Sequence, residues 1–122
     1  MDVYDPNDAP AASDWLAIDE DARLGLVFAY HAQEDVPLPS ARLHAAIHVV
    51  VENQLAIGEI IVVDTLARLR GDGLSREAVH AIGSVLAERL VAALRGELTS
   101  ETLPTAYLKS LQSLSAEDWK TR

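Results

Sequence analysis

The sequence predicts an all-α protein, folded as one compact bundle of four to five helices. Three observations carry that expectation. Leu, Ala, Glu and Arg, all good helix formers, dominate the chain, while aromatic residues make up only 5%. Apolar residues recur at three- and four-residue steps in several separate stretches. Proline and glycine cluster between those stretches, where helices stop. A length of 122 residues fits a single domain with one continuous core.

Residues 1–18 hold Pro6 and Pro10 among Asp and Asn, and are expected to run extended over the bundle. Trp15, Leu16 and Ile18 give an apolar patch to pin them down, with Trp15 as a packing anchor. Asp19 is an N-cap with Glu20 and Asp21 behind it, opening a helix over 20–33 that carries Leu24, Val27, Phe28 and His31. His31 falls in its last turn, where an imidazolium suits the helix dipole. Val36-Pro37-Leu38-Pro39 breaks that helix and Ser40 caps a second one over 41–57, stopped or kinked at Gly58.

A third helix over 59–70 has Ile60, Val63, Leu66, Ala67 and Leu69 as apolar positions. Its β-branched run Ile60-Ile61-Val62-Val63 resembles a strand, but no comparable run exists to pair with it. Gly71-Asp72-Gly73 is a turn, and Ser75 caps a fourth helix over 76–95, ended by Gly96. Its apolar face is Val79, Ile82, Leu86, Leu90 and Ala93. A shorter helix begins near Pro104 and runs through Leu114, and residues 115–122 are a helical end or a frayed tail.

Composition removes several functions. With 10 basic against 19 acidic residues the formal charge is −9, so the chain would repel a nucleic acid backbone or an anionic membrane surface. The absence of cysteine excludes disulfides, thiolate catalysis and cysteine-ligated metal sites. The acidic start Met1-Asp2-Val3-Tyr4-Asp5-Pro6 is unlike a signal peptide, and no apolar run is long enough to span a bilayer, so a cytoplasmic location is expected.

One constellation carries chemistry. His44, His48 and Glu52 step by four along the second helix, which at about 100° per residue confines them to an arc of about 80°. The fourth helix repeats the pattern with His80, Ser84 and Glu88, Glu77 lying one turn earlier. Neutral imidazoles and carboxylates so spaced suit zinc, iron, manganese or nickel without any thiolate. The candidate ligands are therefore His44, His48, Glu52, His80 and Glu88. The alternative is that His44, His48, Glu52 and His80 form a satisfied hydrogen-bonded cluster or a solvated stripe, in a non-catalytic structural or interaction module. Asn53 and Gln54 are expected to tie down the helix end. The zincin motif is absent, because Ala45 follows His44, and a di-iron bundle would need a second Glu-x-x-His pair beside Glu77-Ala78-Val79-His80.

These residues resemble a family of small bacterial helical proteins grouped as a domain of unknown function. The shared motifs are H-x3-H-x3-E-x-Q-L, here His44 to Leu55, and H-A-x6-E, here His80 to Glu88. Tyr4-Asp5-Pro6 and Trp15-Leu16-x-Ile18-Asp19-Glu20 are similar to a subset of the same proteins, so the resemblance covers most of residues 4–94. It implies a helical bundle and directs attention to the same five residues, but implies no established activity. One departure is Ser84, where relatives tend to have an acid. Two functions follow as expectations: a domain holding a divalent transition metal, of the kind a metal-dependent hydrolase uses, or a homodimeric interaction module using the apolar side of helix three.

Overall fold

A computed structural model describes residues 3–32 and 40–121, which form seven α-helices and one 3-10 turn. The helices are α1 Ala12–Ala17, α2 Glu20–Ala32, α3 Ser40–Ala56, α4 Ile60–Gly71, α5 Val79–Leu94, α6 Leu103–Ser113 and α7 Ala116–Thr121, with the 3-10 turn Arg76–Ala78 leading into α5. No strand occurs among the described residues, which bears out the all-α class. The expected break at Val36–Pro39 lies outside the described residues, as do the side chains of His31 and Ser40.

Local signals set most boundaries. Asp19 Oδ1 accepts from the Ala22 backbone N–H at 2.8 Å and caps α2. Gly58 takes φ 78° and ends the run of α3, after which α4 leaves at 101°. That bend means α3 and α4 are not one helix. No single helix among the described residues is long and apolar enough to cross a membrane. Ser75 caps as expected, its hydroxyl accepting from Glu77 N at 3.2 Å, but it opens the 3-10 turn rather than α5 itself.

The architecture is organised around α3, which packs against α1, α2, α4 and α5, while α6 closes the far side on α4 and α5. Two cores result. Ile47 and Val51 of α3 join Val62, Leu69, Val79, Ile82, Val85 and Leu111, whereas Ala45 and Val49 join Tyr4, Trp15 and Val27. A helix serving two cores must be apolar on two faces. On the wheel, His44, His48 and Glu52 occupy the arc between those faces, at the seam between the cores.

Two expectations about packing change. Residues 12–17 are helical rather than extended, and Tyr4 and Pro6 are buried rather than laid on the surface. On α4 the apolar surface divides: Val62, Thr65, Leu66 and Leu69 are buried, but Ile60 is 71% exposed and Val63 38%. Asn53 and Gln54 link side chains of other elements instead of the helix-end backbone. Asn53 Oδ1 accepts from Trp15 Nε1 at 2.9 Å, and Gln54 Oε1 accepts from the Tyr107 hydroxyl at 2.7 Å. Trp15 is the anchor expected of it, wholly buried.

Candidate metal centre

Three of the five candidate ligands converge. His44 and His48 project from one side of α3, and His80 from the first turn of α5, which packs across it. One ring nitrogen from each lies within 4.8 Å of the others. The His48 and His80 rings meet edge to face with centroids 4.3 Å apart, and His44 stacks 6.0 Å from His48. Two nitrogens bound to one tetrahedral ion at about 2.0–2.1 Å would be about 3.4 Å apart, so modest side-chain rotation closes the triad. Exposure grades across it: His48 is 2% exposed, His80 half-buried and His44 exposed.

The α3–α5 approach that makes this convergence possible depends on Gly83. A Cβ at that position would stand 3.2 Å from Ile47 Cγ2. His80 is further held by its own helix start, where Nδ1 lies 3.0 Å from the Glu77 carbonyl oxygen. A carbonyl can only accept, so Nδ1 carries the proton, and in the neutral ring Nε2 is the nitrogen with the lone pair.

Glu52 is not part of the convergence, which corrects its expected place among the ligands. Its carboxylate faces Arg76, whose Nη2 donates to Oε1 at 2.6 Å and Nη1 to Oε2 at 2.8 Å. Tyr4 donates its hydroxyl to Oε2 as well, at 2.6 Å. Both partners of the ion pair are buried, at 1% and 6% exposure. Burial works against charge on Arg76, but hydrogen bonding to Glu52 and the attraction of its charge outweigh that and raise its pKa. Burial and then the Glu52 charge drive the Tyr4 phenol far above its ordinary value, so it remains a proton donor.

Arg76 and Tyr4 were not singled out as site residues by sequence reasoning. Arg76 left one signal: a cation at a helix start opposes the helix dipole, so it needs a partner elsewhere.

Glu88 and Ser84 stand along α5 from His80, and both line a cavity of about 530 Å³ with the three histidines. Ser84 Oγ donates back to the Ala81 carbonyl at 2.8 Å. Glu88 is exposed and does not join the close triad. Glu77 is also apart, its Oε1 accepting from the Tyr30 hydroxyl at 3.2 Å. The remaining walls are Leu43, Ile47, Gly83, Ala87 and Trp119, largely apolar. The stripe on α5 is therefore not simply solvated: its first residue meets α3 and the others border the cavity.

No family model, curated protein or solved structure matches the chain. What the centre does must follow from its own geometry.

Proposed function

We propose that this chain is a metal-binding helical domain that holds one divalent transition ion through His44, His48 and His80. The observation that carries it is the convergence of three imidazole nitrogens, from two helices, within 4.8 Å. Imidazole donors favour zinc, nickel or iron over magnesium or calcium, which prefer oxygen. Three protein ligands leave at least one coordination position for water or a small ligand, as in catalytic rather than structural zinc sites. The adjoining cavity supplies space for that ligand, and Glu88 on its wall would serve as a base for a metal-bound water in a hydrolase. Because these three histidines also carry the resemblance to the uncharacterised bacterial family, relatives with the same motifs would share the centre.

Elemental analysis of the purified protein tests this, with close to one zinc, nickel, iron or manganese per chain expected after growth or reconstitution. His48→Ala should abolish it. Metal-free protein whose unfolding midpoint does not move on adding zinc or nickel would overturn the proposal, since an ion at a hundredfold its dissociation constant stabilises by about 2.7 kcal/mol.

A second reading concerns assembly. Ile57, Ile60 and Val63 are 69%, 71% and 38% exposed around the start of α4. Clustered apolar exposure of this kind favours a second copy of the chain as its cover. This reading is compatible with a metal centre, because α4 lines none of the cavity beside the histidines.

A further inference from the structure

The segment before α1 reaches two of the three histidines, His48 directly through Tyr4 and His80 through the Glu77 backbone. Tyr4 Oη lies 3.2 Å from His48 Nδ1, and it has already given its single proton to Glu52 at 2.6 Å. Toward His48 the phenol oxygen is therefore an acceptor. His48 Nδ1 must carry the hydrogen, which leaves Nε2 as the lone-pair nitrogen. The direction of the whole relay is fixed at its far end by Arg76, which can only donate and holds both carboxylate oxygens of Glu52. Farther along the segment, Asn7 Oδ1 accepts from the Glu77 backbone N–H at 3.2 Å. The carbonyl of that same Glu77 meets His80 Nδ1.

The segment is built for this contact. Asp8 N donates to the Asp5 carbonyl at 3.0 Å and Asn7 N to Asp5 Oδ1 at 2.9 Å, folding residues 5–8 into a tight turn. Arg76 Nη1 donates to the Pro6 carbonyl at 2.9 Å, tying the turn to the same guanidinium that orients Glu52. The Tyr4 ring sits between Trp15 and Tyr30, with centroids at 5.9 and 6.0 Å.

We propose that Tyr4 is a positioning residue that sets the His48 tautomer for coordination through Nε2, and that residues 3–8 form a clasp whose docking is coupled to metal occupancy. This rests on the metal-binding reading of the histidines. Outer hydrogen bonds to ligating histidines fix ring orientation and raise donor strength, and their loss costs about 10–100-fold in metal affinity. Coupling of binding events is reciprocal: whatever factor the docked clasp adds to metal affinity, bound metal adds to clasp docking. Anything that draws residues 3–8 away would weaken the hold on the ion by that same factor.

The test compares wild type, Tyr4→Phe, Asn7→Ala and Tyr107→Phe. Zinc affinity, by competition with a chromophoric chelator, should fall about tenfold or more in Tyr4→Phe. It should fall more modestly in Asn7→Ala, a surface change that spares the core, and stay unchanged in Tyr107→Phe, which loses a buried hydroxyl elsewhere. Long-range proton–nitrogen NMR of the zinc-free proteins should show His48 protonated at Nδ1 in wild type and a tautomer mixture in Tyr4→Phe. Zinc should slow amide exchange of residues 3–8 in wild type. Equal zinc affinity in Tyr4→Phe and wild type, or a wild-type His48 protonated at Nε2, would overturn the clasp. Failure of wild type to bind any metal would overturn the proposed function instead, and the zinc-free tautomer would still decide the role of Tyr4.

Discussion

Glu52 and Arg76 form a two-pronged ion pair, 2.6 Å at its shorter contact, at the seam where α3 separates the two cores. Burying both charges is costly, and their mutual contact with Tyr4 and the Pro6 carbonyl offsets the loss of water. Removing one member leaves the other charge stranded. Glu52→Gln is expected to cost about 3–5 kcal/mol and lower the thermal midpoint by about 10–20 °C. Replacing both, as Glu52→Leu with Arg76→Met, should be less damaging than either single change. A double variant as unstable as the sum of the singles would show that the pair contributes no such compensation.

That pair also marks where sequence reasoning reached its limit. The α-helical period exposes His44, His48 and Glu52 as one arc, because it relates residues four apart on the same helix. It says nothing of partners 24 and 48 residues away, the separations of Arg76 and Tyr4 from Glu52. Two polar residues on one arc therefore read as one site, although His48 turns toward His80 and Glu52 toward Arg76. The helix boundaries were legible from Asp19, Gly58 and the Gly71–Gly73 turn, since capping is local chemistry. The phase of α4 was not, because four β-branched residues in a row present apolar surface on every side and leave the phase to tertiary packing. The helical start of α1 was obscured by the prolines before it, which end before Ala12.

Gly83 links stability to the centre in a separable way. Gly83→Ala gains about 1 kcal/mol of helix propensity. The new Cβ stands 3.2 Å from Ile47 Cγ2, a branch methyl whose χ1 is locked in a helix, so the α3 and α5 backbones must part slightly. Folding stability should change by less than about 1 kcal/mol as these terms cancel. Zinc affinity should nevertheless fall severalfold, because ligand distances tolerate only about 0.2 Å. Paired denaturation and zinc titrations check this, and unaltered affinity would place the tolerance of the triad above the shift. Ile47→Leu, which removes the branch methyl, should restore affinity in the Gly83→Ala background.

Tyr107 supplies a pH dependence far from the histidines. It is buried, donates to Gln54, and its pKa is raised first by burial and then by the charge of Glu59. The folded state holds this proton more tightly than the unfolded chain, where a tyrosine titrates near about 10. Its contribution is therefore complete below about pH 10 and declines as pH rises beyond that value. Urea midpoints should be level from pH 8 to 9.5 and fall toward pH 11, with a shallower fall in Tyr107→Phe. Identical alkaline slopes in the two proteins would remove Tyr107 as the cause. Absorbance at 295 nm gives the companion signal, with Tyr107 ionising only as the protein unfolds.

The last prediction concerns the start of α4, where Gly58 turns the chain and leaves Ile57 and Ile60 both facing outward. Neither side chain can be brought in by a small rotation, because Val62, Leu66 and Leu69 already fill the inward arc of that helix. Each fully covered aliphatic side chain is worth about 1.5–3 kcal/mol, and a two-fold interface would cover every member of the patch twice. Light scattering should accordingly give twice the 13.2 kDa chain mass at micromolar concentration. Ile60→Lys should return it to the monomer value without loss of helix content, since position 60 contributes nothing to either core. A wild-type monomer at several hundred micromolar would rule out self-association through this face. Zinc binding should be the same in Ile60→Lys and wild type, because the histidines lie across α3 and α5 rather than on α4.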